Sequence, residues 1–158
     1  MLNQRSSIAE LRKVVRVETN PHRAFELFTS GINQWWPLAT HSVGELQAAD
    51  VAFGTGVGGV IVETLADGTT AAWGTVTRWD PPHSVAFTWH PGNPESEAGQ
   101  VEVTFTLDKS GGTLVELVHT GWERRPDGIR AREGYDTGWN TVLNGFASKS
   151  SPSDHQRL

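Results

Sequence analysis

One amphipathic helical stripe lies near the C-terminal end of the sequence, and no segment before it is long enough to pair with it as a helix. Tyr135, Trp139, Val142, Leu143 and Phe146 fall at i, i+4, i+7, i+8 and i+11, which is one face of a long helix. From residue 42 to 122 the pattern is instead that of strands separated by turn residues. A sheet must cover its apolar face, and the stripe is the only cover of sufficient length. The expected class is α+β: a curved antiparallel β-sheet wrapped around a long C-terminal α-helix, with two short helices after the first strand. Such a grip often leaves a cavity between sheet and helix.

The local signals follow that order. Leu11 to Glu18 is rich in β-branched residues and reads as the first strand. Asn20-Pro21 supplies a side-chain cap and a proline pre-set for a helical turn, and Ala24, Phe25 and Phe28 recur at helical spacing. Gly31 ends that helix, and Ile32 to Pro37 makes a second turn carrying Trp35 and Trp36. These two are adjacent, so one is expected to face fully inward and the other to line an entrance. Val57 to Thr64 and Thr70 to Trp79 flank Asp67-Gly68, a two-residue hairpin signal. Val85 to Trp89, Val101 to Leu107 and Thr113 to Trp122 are the later strands, and residues 91–99 form the longest polar break. Residues 1–9 read as a flexible lead, 10–147 as one domain and 148–158 as a disordered tail.

Composition narrows the chemistry. The chain has 158 residues and no cysteine, which excludes disulfides, thiolate nucleophiles and cysteine-held metals. Its formal charge is −5, and basic runs stop at two residues, against nucleic acid as a partner. No membrane span and no apolar signal-peptide core are present, so the expected location is cytoplasmic. Histidine spacing offers no metal site, and no cofactor is expected. Gly54 to Gly59 matches GxGxxG in letters, but a β-branched strand follows it rather than a helix, so it reads as a turn. Seven tryptophans and six phenylalanines stand against one methionine. That supply of rings can fill a core or wall a cavity.

The ordered set Ala24-Phe25, Trp35-Trp36-Pro37, Gly58-Gly59-Val60-Ile61-Val62-Glu63, Asp67-Gly68, Trp73-Gly74-Thr75-Val76, Trp79-Asp80-Pro81-Pro82, Phe87-Thr88-Trp89, His119-Thr120-Gly121-Trp122 and Gly138-Trp139 resembles one family. It is that of the bacterial activator-of-heat-shock-protein-90-ATPase-like proteins, in the START-related SRPBCC superfamily. The resemblance implies a helix-grip fold over roughly residues 10–147. It also implies a superfamily that includes lipid carriers, polyketide cyclases and hormone receptors, and a name that derives from a co-chaperone. A chaperone or another protein is therefore an expected alternative partner, with the chain a monomer or a homodimer.

Candidate contacts come from the faces. Pairing Ala66 with Thr69 sets Glu63 opposite Ala72 and Val62 opposite Trp73, with Glu63 on the face of Ile61, Gly74 and Val76. If that face is concave, a carboxylate enters the cavity; if convex, it meets solvent, and parity alone does not choose. His119 lies on the face of Val115 and Leu117, as a core histidine or as a ligand contact. His41 precedes an expected strand and either lines the cavity mouth or makes a structural hydrogen bond. Trp36, Trp73, Trp89, Tyr135 and Trp139 are core fillers or a flat aromatic wall. Arg124, Arg125, Arg130 and Arg132, diluted by Asp127, Glu133 and Asp136, read as a solvated helix start or as a patch facing an anionic ligand. The expected function is non-catalytic binding of a small hydrophobic or amphipathic molecule between sheet and helix. The alternatives are a cyclase- or hydrolase-like enzyme using Glu63 and His119, or a chaperone-associated binding module.

Overall fold

The computed structural model of the chain describes residues 8–150. Most of the expected lead and tail lie outside them. Within them, Ile8 packs against the core, and Arg132 donates to the carbonyls of Ala9 and Glu10 at 2.7 and 2.8 Å. The expected tail starts two residues too early, because Ser148 and Lys149 continue the last turn of the C-terminal helix.

Strand β1 (Leu11–Val17) leads to helix α1 (Pro21–Phe28) and a 3-10 turn (Ile32–Gln34). Six strands follow: β2 (Ala48–Phe53), β3 (Val60–Leu65), β4 (Thr70–Asp80), β5 (Ser84–Trp89), β6 (Gly99–Leu107) and β7 (Thr113–Thr120). Helix α2 (Gly128–Lys149) ends the described chain. The seven strands form one antiparallel sheet in the order β1-β7-β6-β5-β4-β3-β2, curled around α2 as the expected helix-grip. Asn20 caps α1 as its position predicts, its side-chain oxygen accepting from Arg23 N at 2.9 Å.

The stripe on α2 does what its spacing demands. Trp139, Val142, Leu143 and Phe146 are buried against the inner face of the sheet, where Val85, Phe87, Val101, Val103, Phe105, Val115 and Leu117 alternate with outward residues. Each such aliphatic or phenyl side chain contributes about 1.5–3 kcal/mol by leaving water. Phe28 meets Phe105 and Phe146 edge-on at ring-centroid distances of 6.0 and 5.4 Å, which locks α1 to the far end of the grip.

Two local departures set the concave face. The turn from β3 into β4 is closed by Leu65 N bonded to Thr69 O at 2.8 Å, which leaves three residues, Ala66 to Gly68, at its tip, with Gly68 at φ +90°. The two-residue hairpin is thus corrected by one position, and Glu63 pairs with Ala71 rather than Ala72. A β-bulge then absorbs the offset: Val62 pairs with Ala72 while Ile61 pairs with Gly74, so Trp73 is the extra residue. The bulge turns Trp73 inward beside Gly74, where the uninterrupted pairing put it on the opposite face from Glu63. A Cβ on Gly74 would lie 1.7 Å from the Thr88 carbonyl oxygen, so only glycine lets β4 come this close to β5.

Trp35 and Trp36 are both buried, and of the two only Trp36 borders the cavity described below, while Trp35 belongs to the core. They follow the 3-10 turn, and each indole finds a backbone acceptor inside, with Trp35 Nε1 donating to Leu27 O at 2.8 Å and Trp36 Nε1 to His41 O at 2.7 Å.

Candidate functional site

The rings leave a space. A cavity of about 550 Å³ lies between β4, β5 and the first half of α2, partly open to solvent. Trp36, Trp73, Trp89 and Trp139 form its wall and floor, and Tyr135 and Val142 add to it from the helix. Residues 40–43 and 91–93 border it, together with Arg125. The indoles brace one another: Trp36 to Trp73 is 5.1 Å between centroids, Trp73 to Trp89 is 5.6 Å and Trp89 to Trp139 is 5.5 Å. A wall so cross-packed keeps its shape when empty.

Helix α2 makes room at the same place. Gly134 and Gly138, one turn apart, both border the cavity. A Cβ on Gly134 would meet nothing within 4 Å, and one on Gly138 would only touch the His41 ring at 3.9 Å. Each glycine costs a helix interior roughly 0.8–1 kcal/mol relative to alanine, and here the loss leaves space instead of a side chain.

Glu63 is fully buried and lies behind the wall. Its carboxylate accepts from Val43 N and Gly44 N at 2.8 Å each and from Trp73 Nε1 at 2.9 Å. Three N–H donors replace the water it has lost, and together they pin the 42–44 loop to β3. The expected strand after His41 is therefore a pinned loop, followed by a 3-10 turn (Glu45–Gln47) and only then β2. His41 itself sits on the cavity rim, with Nδ1 2.7 Å from Thr40 Oγ1.

His119 is likewise behind the wall. Its Nδ1 accepts from Trp139 Nε1 at 3.1 Å, and its ring lies 3.9 Å from that of Trp122. Burial, assisted by the charge of Arg125, lowers its pKa to about 3. The ring is neutral at ordinary pH, and because Nδ1 accepts, its proton sits on Nε2. Neither Glu63 nor His119 lines the cavity, whereas Trp36, His41, Trp73, Trp89, Tyr135 and Trp139 do.

Sequence reasoning did not single out Ser42, Asn93, Gly134 or Gly138 as cavity residues. Two glycines four apart on the Tyr135–Trp139 side of an otherwise good helix were a readable signal for the last pair. Arg125 was noted only as part of a basic patch. The structure separates it from that patch and sets its guanidinium at the cavity, paired with Asp127 at 2.9 and 3.0 Å. Among the described residues no three metal-ligating side chains gather, and no helix is long and apolar enough to cross a membrane.

Comparison with known proteins follows the fold. The family model described as activator of Hsp90 ATPase homolog 1-like protein matches residues 18–149. Among solved structures, the anthrahydroquino-γ-pyrone synthase Txn09, complexed with a molecule designated SUM, is 33% identical, with a TM-score of 0.61 over 90% of this chain and 97% of that one. The Aha1 dimer from Colwellia psychrerythraea is 17% identical, with a TM-score of 0.67 over 92% of this chain and 98% of that one. An HSP90 activator from Plasmodium falciparum is 20% identical, with a TM-score of 0.50 over 71% and 72%. The last two share the fold alone. A search of curated protein sequences finds no match.

Proposed function

The chain belongs to the activator of Hsp90 ATPase homolog 1-like family, and on that premise we propose that it binds a small, flat aromatic molecule in the cavity between sheet and α2. One observation carries the reading: four indoles and a phenol converge on about 550 Å³ without filling it. An apolar, largely pre-formed hollow with a few polar groups at its edge is the usual composition of a small-molecule site. Flat rings in the wall suit a flat ring in the space, by offset or edge-on stacking. The 33% identical relative, named for a polycyclic aromatic pyrone, supports the same class of occupant.

In this reading the binding is non-catalytic. An acid–base pair of Glu63 and His119 would need both groups within reach of one substrate atom. Instead the carboxylate is held by three N–H donors and the imidazole is bonded to Trp139, both behind the wall. A second reading, conversion of the bound molecule, is favoured by the name of that same relative, and His41, Arg125 and Tyr135 are the titratable groups that border the space. A chaperone partner has the family name as its support, and stimulation of an Hsp90 ATPase by saturating protein is the assay for it.

The deciding experiment is native mass spectrometry of freshly purified protein against its denatured mass. An added mass of a few hundred daltons, lost on denaturation, supports the cavity reading, and extraction then identifies the ligand class. A bare mass, together with no retention of any flat aromatic compound offered at millimolar concentration, overturns it.

A further inference from the structure

Three of the four cavity indoles have a fixed acceptor for their N–H: Trp36 on His41 O, Trp73 on Glu63, and Trp139 on His119. The fourth does not. Trp89 is only 5% exposed, and its Nε1 is the one buried side-chain polar atom among the described residues with no hydrogen-bond partner. Buried donors of this kind are rare and call for an explanation.

The polar groups nearest that indole are mostly donors. Tyr135 and Arg125 border the same cavity as Trp89; burial raises the pKa of the phenol, and the neighbouring Trp89 indole and Arg125 guanidinium work against the rise. No hydrogen bond of regular geometry closes between phenol and indole. Arg125 commits Nε and Nη2 to Asp127 and leaves Nη1 with no partner among the described residues. An indole N–H and a guanidinium can only donate, while a phenol both donates and accepts through one oxygen. Donors outnumber acceptors at this corner of the cavity.

We infer that this corner is an oxygen-recognition subsite: the flat ligand carries on its edge a carbonyl, enolate or carboxylate oxygen that accepts from Trp89 Nε1 and from Arg125 or Tyr135. The inference rests on the cavity reading above and narrows it to oxygenated aromatics. It also explains why an unsatisfied donor persists in an otherwise well-bonded core, since its partner arrives with the ligand. A site built to donate a hydrogen bond discriminates strongly against a molecule that lacks the acceptor.

The test uses two probes of one shape, 2-acetylnaphthalene and 2-isopropenylnaphthalene, which differ by an oxygen in place of a methylene. Their affinities are measured by calorimetry on the whole chain. The hydrocarbon has the greater drive out of water, so a preference for the ketone cannot come from hydrophobicity. The expected result is binding of the ketone at least about tenfold more tightly, equal to about 1.4 kcal/mol. That ratio falls toward one in Trp89→Phe, which keeps a ring but removes the N–H. Because Trp89 is in the core, Arg125→Met and Tyr135→Phe at the cavity border provide the second measurement. Each is expected to lower the ratio, the ketone losing more affinity than the hydrocarbon; a loss equal for both probes overturns the subsite. Equal affinity of both probes for the unmodified protein overturns the subsite and leaves the cavity reading standing. Binding of neither probe overturns both readings.

Discussion

The Glu63 carboxylate and the Trp73 indole meet at 2.9 Å inside the fold, and the same carboxylate holds Val43 N and Gly44 N at 2.8 Å. A loop over the cavity and a wall of the cavity are thereby tied to one side chain on β3. A glutamine there cannot accept at both positions, because its amide nitrogen turns a donor toward one of the three N–H groups. Glu63→Gln is expected to lower stability by about 1–3 kcal/mol, measured by urea unfolding, with faster amide exchange at Val43 and Gly44. Unchanged exchange at those two amides would show that the carboxylate does not hold the loop.

Acid sensitivity follows from His119. Its pKa is lowered from 6.5 to about 3 in the fold, so between those values the unfolded chain binds a proton that the folded chain refuses. Stability is therefore fully present above pH 6.5, is lost as pH falls from about 6.5 toward 3, and levels off below. The loss is on the order of 4 kcal/mol over that span. His119→Gln keeps an acceptor for Trp139 and removes the titration. Its unfolding midpoint should change less between pH 7 and pH 4 than that of the unmodified protein, and parallel pH profiles would refute the assignment.

At Gly74 the backbone itself is the obstacle. Because a Cβ would sit 1.7 Å from the Thr88 carbonyl oxygen, Gly74→Ala must push β4 away from β5 and open the bulge that aims Trp73. A cost of about 3 kcal/mol or more is expected, read as a lower Tm. A variant as stable as the parent would mean that the two strands separate more easily than their packing implies.

The glycine pair on α2 makes the opposite prediction. Gly138→Leu places a good helix former where glycine stood, which favours the helix by roughly 0.8–1 kcal/mol, while its side chain projects past the His41 ring into the cavity. Tm should hold or rise, and calorimetric binding of 2-acetylnaphthalene should weaken more than tenfold. Retained affinity would place the ligand elsewhere.

Much of this architecture was legible before any coordinates. The spacing of Trp139, Val142, Leu143 and Phe146 announced the covering helix, and alternation from Val101 to Leu107 announced a sheet with one inner face. Glu63 reached the inner face as one outcome allowed, although the pairing behind that reading was off by one. A three-residue loop shifted the register and the Trp73 bulge shifted it back. Neither leaves a mark in a period-two pattern. The split between wall and backing was not legible either. Whether an inward side chain borders space or is covered by another ring depends on layers in depth, and Glu63 and His119 lie one layer too deep. Arg125 was hidden for a different reason: a charge near a helix start reads as solvated until the loop before the helix is seen to fold over the cavity.

The indole packing has an optical consequence. Trp36, Trp73, Trp89 and Trp139 form a chain in which neighbouring centroids are 5.1 to 5.6 Å apart. At such spacing the electronic transitions of adjacent rings mix, so excitation is shared among them rather than confined to one. The circular dichroism of the protein should therefore carry, in the far ultraviolet where the indole transition is strongest, paired bands of opposite sign from coupled indoles. Because these rings enclose the cavity, anything that enters and tilts one of them alters the coupling of the whole set. The chromophore and the container are the same four side chains.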